Sequence, residues 1–281
     1  MTAGVALLQE YVRGMSIYIC YGVTKSASTF LYQLIEEVLT VAGRRPVQLQ
    51  PPLLPPGRLA NYFDDINPAL LRSISEQAGD RDVVLKTHQR VHPGVAALIE
   101  AGTLFACASI RDPRELALSM LDHGRRTRRL GVPEFSEFHD LSDTLGSIDY
   151  QFKNVRSWSA LKGVRVFSFN RICIDTSSVV NDIAAQIGVP IRAADVLRPF
   201  RNKGMIGLFN KGLALRYVEM EPEQQAIFLE RFASIYKEFS FDAPIAARAA
   251  VAQRGKANRP RSDFGHKLTS LRRRIRRIIT G

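Results

Sequence analysis

Short apolar runs alternate with stretches of helical periodicity along the first two thirds of the chain. The apolar runs predict strands at Ser16–Val23, Asp82–Lys86, Thr103–Ile110 and Val164–Phe169. The periodic stretches predict helices at Thr29–Ala42, Pro93–Ala101, Pro113–His123 and Ser177–Ile187. Because this alternation is typical of βαβ units, we expect a three-layer α/β fold with a parallel sheet flanked by helices. Ligands of such sheets bind beyond the carboxyl ends of the strands.

Two segments interrupt this rhythm and are predicted to be long loops. Arg44–Pro68 contains two proline pairs, and Arg125–Tyr150 begins with Arg-Arg-Thr-Arg-Arg. Long loops in compact domains are functional or disordered, so these two are candidates for contacting a substrate. The arginines at 125, 126, 128 and 129 either contact an anionic substrate or form the solvated end of a helix.

Composition indicates a globular, intracellular protein. The 281 residues are 46% hydrophobic, enough for one large α/β domain or two small ones. Cys20, Cys107 and Cys173 lie in apolar runs read as strands, which favours reduced thiols over a disulfide framework or zinc site. The opening Met1–Ser16 has no secretion-signal pattern and no stretch approaches a membrane span, so the prediction is a cytoplasmic protein.

The net charge of +12 is concentrated at one end of the chain. Residues 254–281 hold ten Arg or Lys against the single acidic residue Asp263. The high isoelectric point therefore describes an appendage, and the folded body is not predicted to bind nucleic acid. We divide the chain into an α/β domain at 1–245 and a basic tail at 246–281. Nothing in the sequence sets the oligomeric state.

The first chemical motif runs from Gly22 to Phe30, between the first predicted strand and helix. Backbone N–H groups at a helix N-terminus carry partial positive charge, and Lys25 adds a full one. Ser26, Ser28 and Thr29 add hydroxyl donors, so the segment predicts a P-loop-like phosphate-binding loop. The Walker spacing is absent, which disfavours an ATPase or kinase. The alternative is an ordinary Ser/Thr helix cap with a solvated lysine.

Two further motifs follow predicted strands. Lys86-Thr87-His88 comes directly after Val83-Val84-Leu85, although a histidine at a strand end can also be purely structural. Arg111-Asp112-Pro113 is followed by Ser119, eight residues beyond Arg111. Arg111 and Ser119 could hold one phosphate from two sides, or be an ordinary surface arginine and helix serine.

Together these motifs resemble the cytosolic-type sulfotransferase family over about Ile17 to Phe241. Thr24–Phe30 resembles the P-K-S-G-T-T-W loop, Lys86-Thr87-His88 matches K-T-H, and Arg111 with Ser119 matches the 3′-phosphate signature. Trp158 followed by Val164–Arg171 resembles the W…Y-E-D segment, and Lys203–Gly207 resembles the late R-K-G-x-x-G loop.

The resemblance implies a sulfotransferase that uses 3′-phosphoadenosine 5′-phosphosulfate (PAPS) and requires no metal. His88 would be the general base, Lys25 the cation on the bridging oxygen, and Lys86 the cation on the sulfonate oxygens. The donor-binding residues would be Thr24, Lys25, Ser26, Ala27, Ser28, Thr29, Phe30, Arg111, Ser119, Phe169, Arg201, Lys203 and Gly204.

The chain departs from the family pattern at several of these positions. Thr24 and Ala27 replace Pro and Gly, and Phe30 replaces the Trp that stacks on adenine. Phe169 replaces a Tyr, and Arg201 would substitute for the family Arg, which aligns with Asn202. The acceptor therefore cannot be taken from relatives: a phenol, sugar, lipid head group or peptide tyrosine suits a histidine base. A P-loop-type nucleotide kinase and a non-catalytic membrane-binding scaffold are the alternative functions.

The tail carries a separate pattern. Phe264, Leu268, Leu271, Ile275 and Ile278 recur at helical spacing among basic residues. This predicts a basic amphipathic helix over 264–279. It could dock on the body, bind nucleic acid, bind an anionic bilayer or stay disordered. The membrane surface is the partner that would use both the apolar stripe and the charge.

We predict that the full chain co-sediments with anionic liposomes, because each basic residue near an anionic surface contributes about 1 kcal/mol. Binding should grow with the anionic lipid fraction, fall with added salt and vanish in a truncation ending at Ala250. Equal sedimentation of the two proteins would contradict the prediction.

Overall fold

A parallel four-stranded sheet forms the centre of the protein. The structure, a computed structural model, describes residues 16–55, 60–202 and 215–245, with side chains placed at 16–55, 60–200 and 215–245. The strands are β1 (Ile17–Gly22), β2 (Val83–Thr87), β3 (Phe105–Ile110) and β4 (Val164–Ser168), in the order β2-β1-β3-β4. All three pairings are parallel. The four predicted strands are thus confirmed, with ends that differ by one or two residues.

Helices are distributed over both faces of this sheet. In chain order they are α1 (Ser28–Val41), α2 (Pro68–Ala78), α3 (Pro93–Glu100), α4 (Pro113–Leu130), α5 (Leu145–Ser159), α6 (Phe169–Ile174), α7 (Thr176–Ile187), α8 (Ala193–Asn202), α9 (Pro222–Arg231) and α10 (Ala233–Glu238). None of the described helices is long and apolar enough to cross a membrane.

Alternate side chains of each strand enter different cores. Ile17, Ile19 and Tyr21 of β1 join a cluster with residues of α2 to α5, α9 and α10. Tyr18 and Cys20 join a second cluster with residues of α1, α6, α7 and α8. Because successive strand residues point to opposite faces, a sheet covered on both sides buries every residue of β1. The three-layer α/β fold is therefore confirmed.

The prediction of a long loop at Arg125–Tyr150 was wrong at both ends. α4 continues through the arginines to Leu130 and ends where Gly131 adopts a left-handed conformation, with φ 68°. Arginine favours helices, so the helix extends until a residue that tolerates positive φ stops it. α5 then begins at Leu145, after a short 3₁₀ turn. The described part of the other segment, Arg44–Pro68, contains no helix before α2 begins at Pro68.

Two smaller expectations also differ from the structure. Phe169 does not end β4 but begins α6, because the Ser168 hydroxyl accepts a hydrogen bond from the N–H of Arg171 and caps that helix. Cys173 consequently lies in α6 and is half-buried, whereas Cys20 and Cys107 lie buried in β1 and β3. All three are free thiols.

Asn61 attaches the Arg44–Pro68 segment to the sheet. Its fully buried amide donates to the carbonyl oxygens of Val47, at 2.9 Å, and Val84, at 3.0 Å. Its side-chain oxygen accepts from the N–H of Leu49 at 2.9 Å. One side chain thus satisfies three buried backbone groups.

Asn61→Ala should lower the free energy of unfolding by about 2–4 kcal/mol, because it leaves buried backbone groups without partners. Urea denaturation would measure this loss. Gln77→Ala is the matched control, since Gln77 accepts from the N–H of Gln50 in the same segment at 3.0 Å but at the exposed surface. A loss as large in the control would show that Asn61 has no special role.

Candidate functional site

The predicted phosphate-binding loop lies where β1 meets α1. Lys25 and Ala27 both adopt left-handed conformations, with φ 72° and 68°. Ala27 lies where the resembled motif has glycine, and an alanine adopts this conformation at a cost of about 1–2 kcal/mol. Gly22 is required for a different reason: a Cβ there would lie 2.2 Å from the Cβ of Ser28. The loop therefore depends on close approach between the strand end and the helix start.

The start of α1 has no side-chain cap. Ala27 is the N-cap residue and its methyl group cannot accept a hydrogen bond, so the ordinary Ser/Thr cap proposed as an alternative was wrong. The hydroxyl of Ser26 is used inside the protein, donating to the carbonyl oxygen of Val23 at 2.5 Å and lying 2.6 Å from Ser109 Oγ of β3. Ser26 thus fixes the loop, while the uncapped helix end carries the partial positive charge.

Lys86 joins the second motif to this loop. Its ammonium donates to Thr29 Oγ1 at 2.7 Å, at the first turn of α1. Burial lowers the pKa of Lys86. The end of β2 thus delivers a desolvated cation to the uncapped helix start.

His88 is oriented by the same loop. Its Nδ1 lies 2.5 Å from the carbonyl oxygen of Gly22, and because a carbonyl only accepts, Nδ1 carries the proton. Nε2 therefore has the free lone pair. Burial, and then the charge of Lys86, lower the pKa of His88 to about 4. The neutral ring at pH 7 can accept a proton from a neighbouring group.

Side chains of helix α5 hold the phosphate-binding loop and the Lys86-Thr87-His88 motif in place. The sequence did not indicate this role of α5. The side-chain oxygen of Gln151 accepts a hydrogen bond from the N–H of Thr24. The backbone oxygen of Gln151 accepts one from the hydroxyl of Tyr21 at 3.0 Å. Asn154 Nδ2 donates to the carbonyl oxygen of His88 at 3.5 Å, and the indole of Trp158 donates to that of Gln89 at 2.9 Å. The signal that could have located α5 is the apolar spacing of Ile148, Phe152, Val155 and Trp158.

Arg111 is buried beside the loop and fixed on several sides. Its Nε donates to Glu115 Oε2 at 2.8 Å, and its Nη1 donates to the carbonyl oxygen of Lys25 at 3.4 Å. The guanidinium lies over the ring of Phe169 at 3.6 Å. Arg111, Glu115 and Phe169 line a cavity of about 260 Å³. Ser119 lies two turns further along α4 and is buried.

A second group of polar side chains surrounds the ammonium of Lys25. His123 Nδ1 lies 3.1 Å from Lys25 Nζ and 2.8 Å from Arg126 Nη2. Burial, followed by the charges of Arg126 and Arg111, lowers the pKa of Lys25 to about 8. Burial, followed by the charges of Lys25 and Arg126, lowers the pKa of His123 to about 4. His123 was not among the predicted site residues.

Of the remaining residues predicted to bind the donor, some lie in the described part of the chain and some do not. Phe30 packs edge-on against Phe200 of α8, with ring centroids 5.2 Å apart. Arg201 lies in the last turn of α8, and Lys203 and Gly204 fall outside the described residues. The described residues contain no group of three His, Cys, Asp or Glu side chains that could hold a metal ion.

Comparison with known proteins gives structural relatives but no sequence relatives. The sequence matches no protein-family model and no curated protein. A mouse sulfotransferase complexed with PAP superimposes with a TM-score of 0.54 at 14% identity, covering 84% of this chain and 90% of the other. A retinol dehydratase in complex with androsterone and the inactive cofactor PAP gives 0.52 at 15% identity, covering 82% of each chain. The chain has the sulfotransferase fold. The resemblance indicated by the motifs is thus confirmed at the level of the fold.

The sulfotransferase fold is also seen in a third comparison. A retinol dehydratase in a complex with retinol and PAP gives a TM-score of 0.51 at 15% identity, covering 82% of this chain and 83% of the other. At these identities the agreement concerns the path of the backbone. What the site does must be argued from the residues of this chain.

Proposed function

We propose that this chain is a sulfotransferase that moves a sulfonate group from PAPS to a hydroxyl or amine of an acceptor. One observation carries the proposal: the three motifs meet at a single backbone turn. His88 bonds to Gly22, Arg111 bonds to the backbone of Lys25, and Lys86 bonds to Thr29. The turn thus gathers a neutral base and several desolvated cations around an uncapped helix start.

This arrangement suits in-line sulfonate transfer. The acceptor oxygen or nitrogen forms a bond to sulfur while the bond from sulfur to the bridging phosphate oxygen breaks. Nε2 of His88 takes the acceptor proton. Lys25 stabilises the charge that develops on the leaving phosphate oxygen, and Lys86 stabilises the sulfonate oxygens. As in phosphoryl transfer, positioning and charge stabilisation supply most of the rate.

The donor is held, in this proposal, by the phosphate-binding loop and by Arg111. The 5′-phosphosulfate lies at the start of α1, and Arg111 with Ser119 binds the 3′-phosphate. Phe30 and Phe169 contact the adenosine. Arg201, Lys203 and Gly204 complete the 3′-phosphate site. That the compared structures contain PAP supports PAPS as co-substrate here.

The acceptor and the location in the cell belong to the same proposal. Androsterone and retinol in the compared structures support a small-molecule acceptor, with glycans and lipids as further classes. We propose a cytoplasmic enzyme whose tail at 264–279, outside the described residues, binds the inner membrane surface.

Titration calorimetry with 3′,5′-adenosine bisphosphate tests the donor site. The wild-type protein should bind it without metal and more tightly than AMP. Arg111→Gln should weaken binding by about 1.5–3 kcal/mol, the usual contribution of a hydrogen bond to a charged group. Ser119→Ala should weaken it less, and Arg165→Gln, which removes an exposed arginine of β4, should leave it unchanged.

Equal affinity for AMP and the bisphosphate would refute the 3′-phosphate assignment and favour the nucleotide kinase. Melting curves of the Arg111 variant in the absence of nucleotide separate lost contacts from lost folding, because Glu115 is left with one partner fewer.

His88→Ala should reduce kcat by about 100-fold or more while leaving bisphosphate affinity nearly unchanged, because a general base acts in the transition state. With a pKa near 4, His88 stays neutral across the working range, so kcat/KM for the donor should be flat between about pH 5.5 and 7.5. It should fall as pH rises through about 8, where Lys25 of the free enzyme loses its proton. A His88 variant that retains most of its activity would place the base elsewhere.

A further inference from the structure

The buried ring of His123 has an N–H group with no partner among the described residues. Its Nδ1 faces two donors, Lys25 Nζ at 3.1 Å and Arg126 Nη2 at 2.8 Å, so Nδ1 is the acceptor and the proton sits on Nε2. His123 is only 5% exposed, and Nε2 has no hydrogen-bond partner among the described residues. Glu134 Oε2 lies 3.7 Å from this nitrogen, beyond hydrogen-bonding distance.

Arg126 presents a second such group. Its Nε is also buried without a hydrogen-bond partner in the described part of the chain. Each unpaired buried N–H costs about 1–3 kcal/mol, so two on adjacent side chains call for an explanation. Both are donors, and a ligand that satisfies them must be an acceptor.

The charge around these two donors is positive. Arg126 makes no ion pair within the described residues, and the ammonium of Lys25 is close by. Asp122 is engaged by Arg216, at 3.0 Å, and by Arg125, at 3.9 Å. The carboxylate of Glu134 is 70% exposed, so water screens most of its charge. A bound anion would therefore gain both hydrogen bonds and Coulomb energy here.

Arg126 differs from the other three arginines of the 125–129 run in what its side chain contacts. Arg125 and Arg129 are exposed, and Arg128 donates to the carbonyl oxygens of Ser136 and Phe138, at 2.7 and 2.9 Å. Arg128 thereby holds segment 131–141 against α4, where a Cβ on Gly124 would lie 2.3 Å from the carbonyl oxygen of Phe135. The ring of Phe135 packs edge-on against His123 at 4.9 Å. Of the four arginines, Arg126 is the one that contacts the polar group around Lys25.

We propose that His123 and Arg126 bind an anionic group of the acceptor, a carboxylate, phosphate or sulfate, and so select acidic acceptors. The inference rests on the proposed sulfotransferase function, because it concerns the substrate that meets the donor at Lys25. The Nε2–H of His123 and the Nε–H of Arg126 donate to the anion, and the ring of Phe135 forms an apolar wall beside it. The phosphates of the donor are bound elsewhere, by Arg111 and the start of α1.

The first test uses inorganic sulfate as the probe on protein saturated with 3′,5′-adenosine bisphosphate, which fills the donor phosphate sites. Nitrogen NMR of the labelled histidine rings should show a saturable shift of the His123 resonances. Arg126→Gln should weaken sulfate binding about tenfold or more, as expected for a lost charged hydrogen bond. His123→Phe, followed by calorimetry, should weaken it as well, whereas Arg129→Gln on the same helix should not.

A bisphosphate-saturated wild-type protein that binds no sulfate overturns this inference, as does equal weakening by Arg129→Gln. Failure to bind the bisphosphate at all would instead refute the proposed function. Bisphosphate affinity in each variant also shows whether it is folded.

The second test identifies the source of the anion. A cell extract is separated by anion exchange before incubation with labelled donor, and both fractions are offered to the enzyme. Label should enter the retained, acidic fraction, and Arg126→Gln should reduce that incorporation. Label entering the neutral fraction equally well, with no effect of Arg126→Gln, would show that sulfate binding is not used for acceptors.

Discussion

The site depends on the backbone turn between β1 and α1. Gly22 lets the strand end approach Ser28, and two left-handed residues then reverse the chain. The carbonyl oxygens of that turn orient the side chains around it: Gly22 binds His88, and Lys25 binds Arg111. Because His88 and Arg111 are both anchored to the backbone of this turn, a small change in the turn would displace the two side chains together.

The buried positive charges of the site are electrostatically unfavourable. Burial lowers the pKa of Lys25, Lys86 and Arg111, so each of these cations is less favourable here than in water. Glu115 compensates the charge of Arg111, whereas the ammonium of Lys25 lies against the neutral ring of His123. An anionic donor would supply the missing charge and raise the pKa of Lys25. By linkage, such a donor would bind more tightly to the protonated form, below about pH 8.

Local pattern was sufficient for the sheet and for the motifs at the strand ends. The apolar runs predicted four parallel strands, whose carboxyl ends meet at one edge and bring Gly22, His88 and Arg111 together. The local sequence pattern could not predict contacts between segments that are distant along the chain. Gln151 accepts from Thr24 across 127 positions, and His123 meets Lys25 only because α4 packs beside the loop. The course of α4 was misjudged because a run of arginines was taken for a loop, although Gly131 marks the helix end.

Two positions at which this chain departs from the family pattern, Ala27 and Phe169, keep a conformation or a contact that the site uses. Ala27 stands where the motif has glycine and adopts a left-handed conformation, and Phe169 contacts the guanidinium of Arg111 although it has no hydroxyl. Lys25, Lys86 and His88, to which the proposal assigns the transfer chemistry, are unchanged in type. On that proposal, variation in substrate would arise from surfaces that face this group without holding it. The end of α4 and segment 131–141 form such a surface, since they contact the ammonium of Lys25 through His123 and Phe135 and take no part in the sheet.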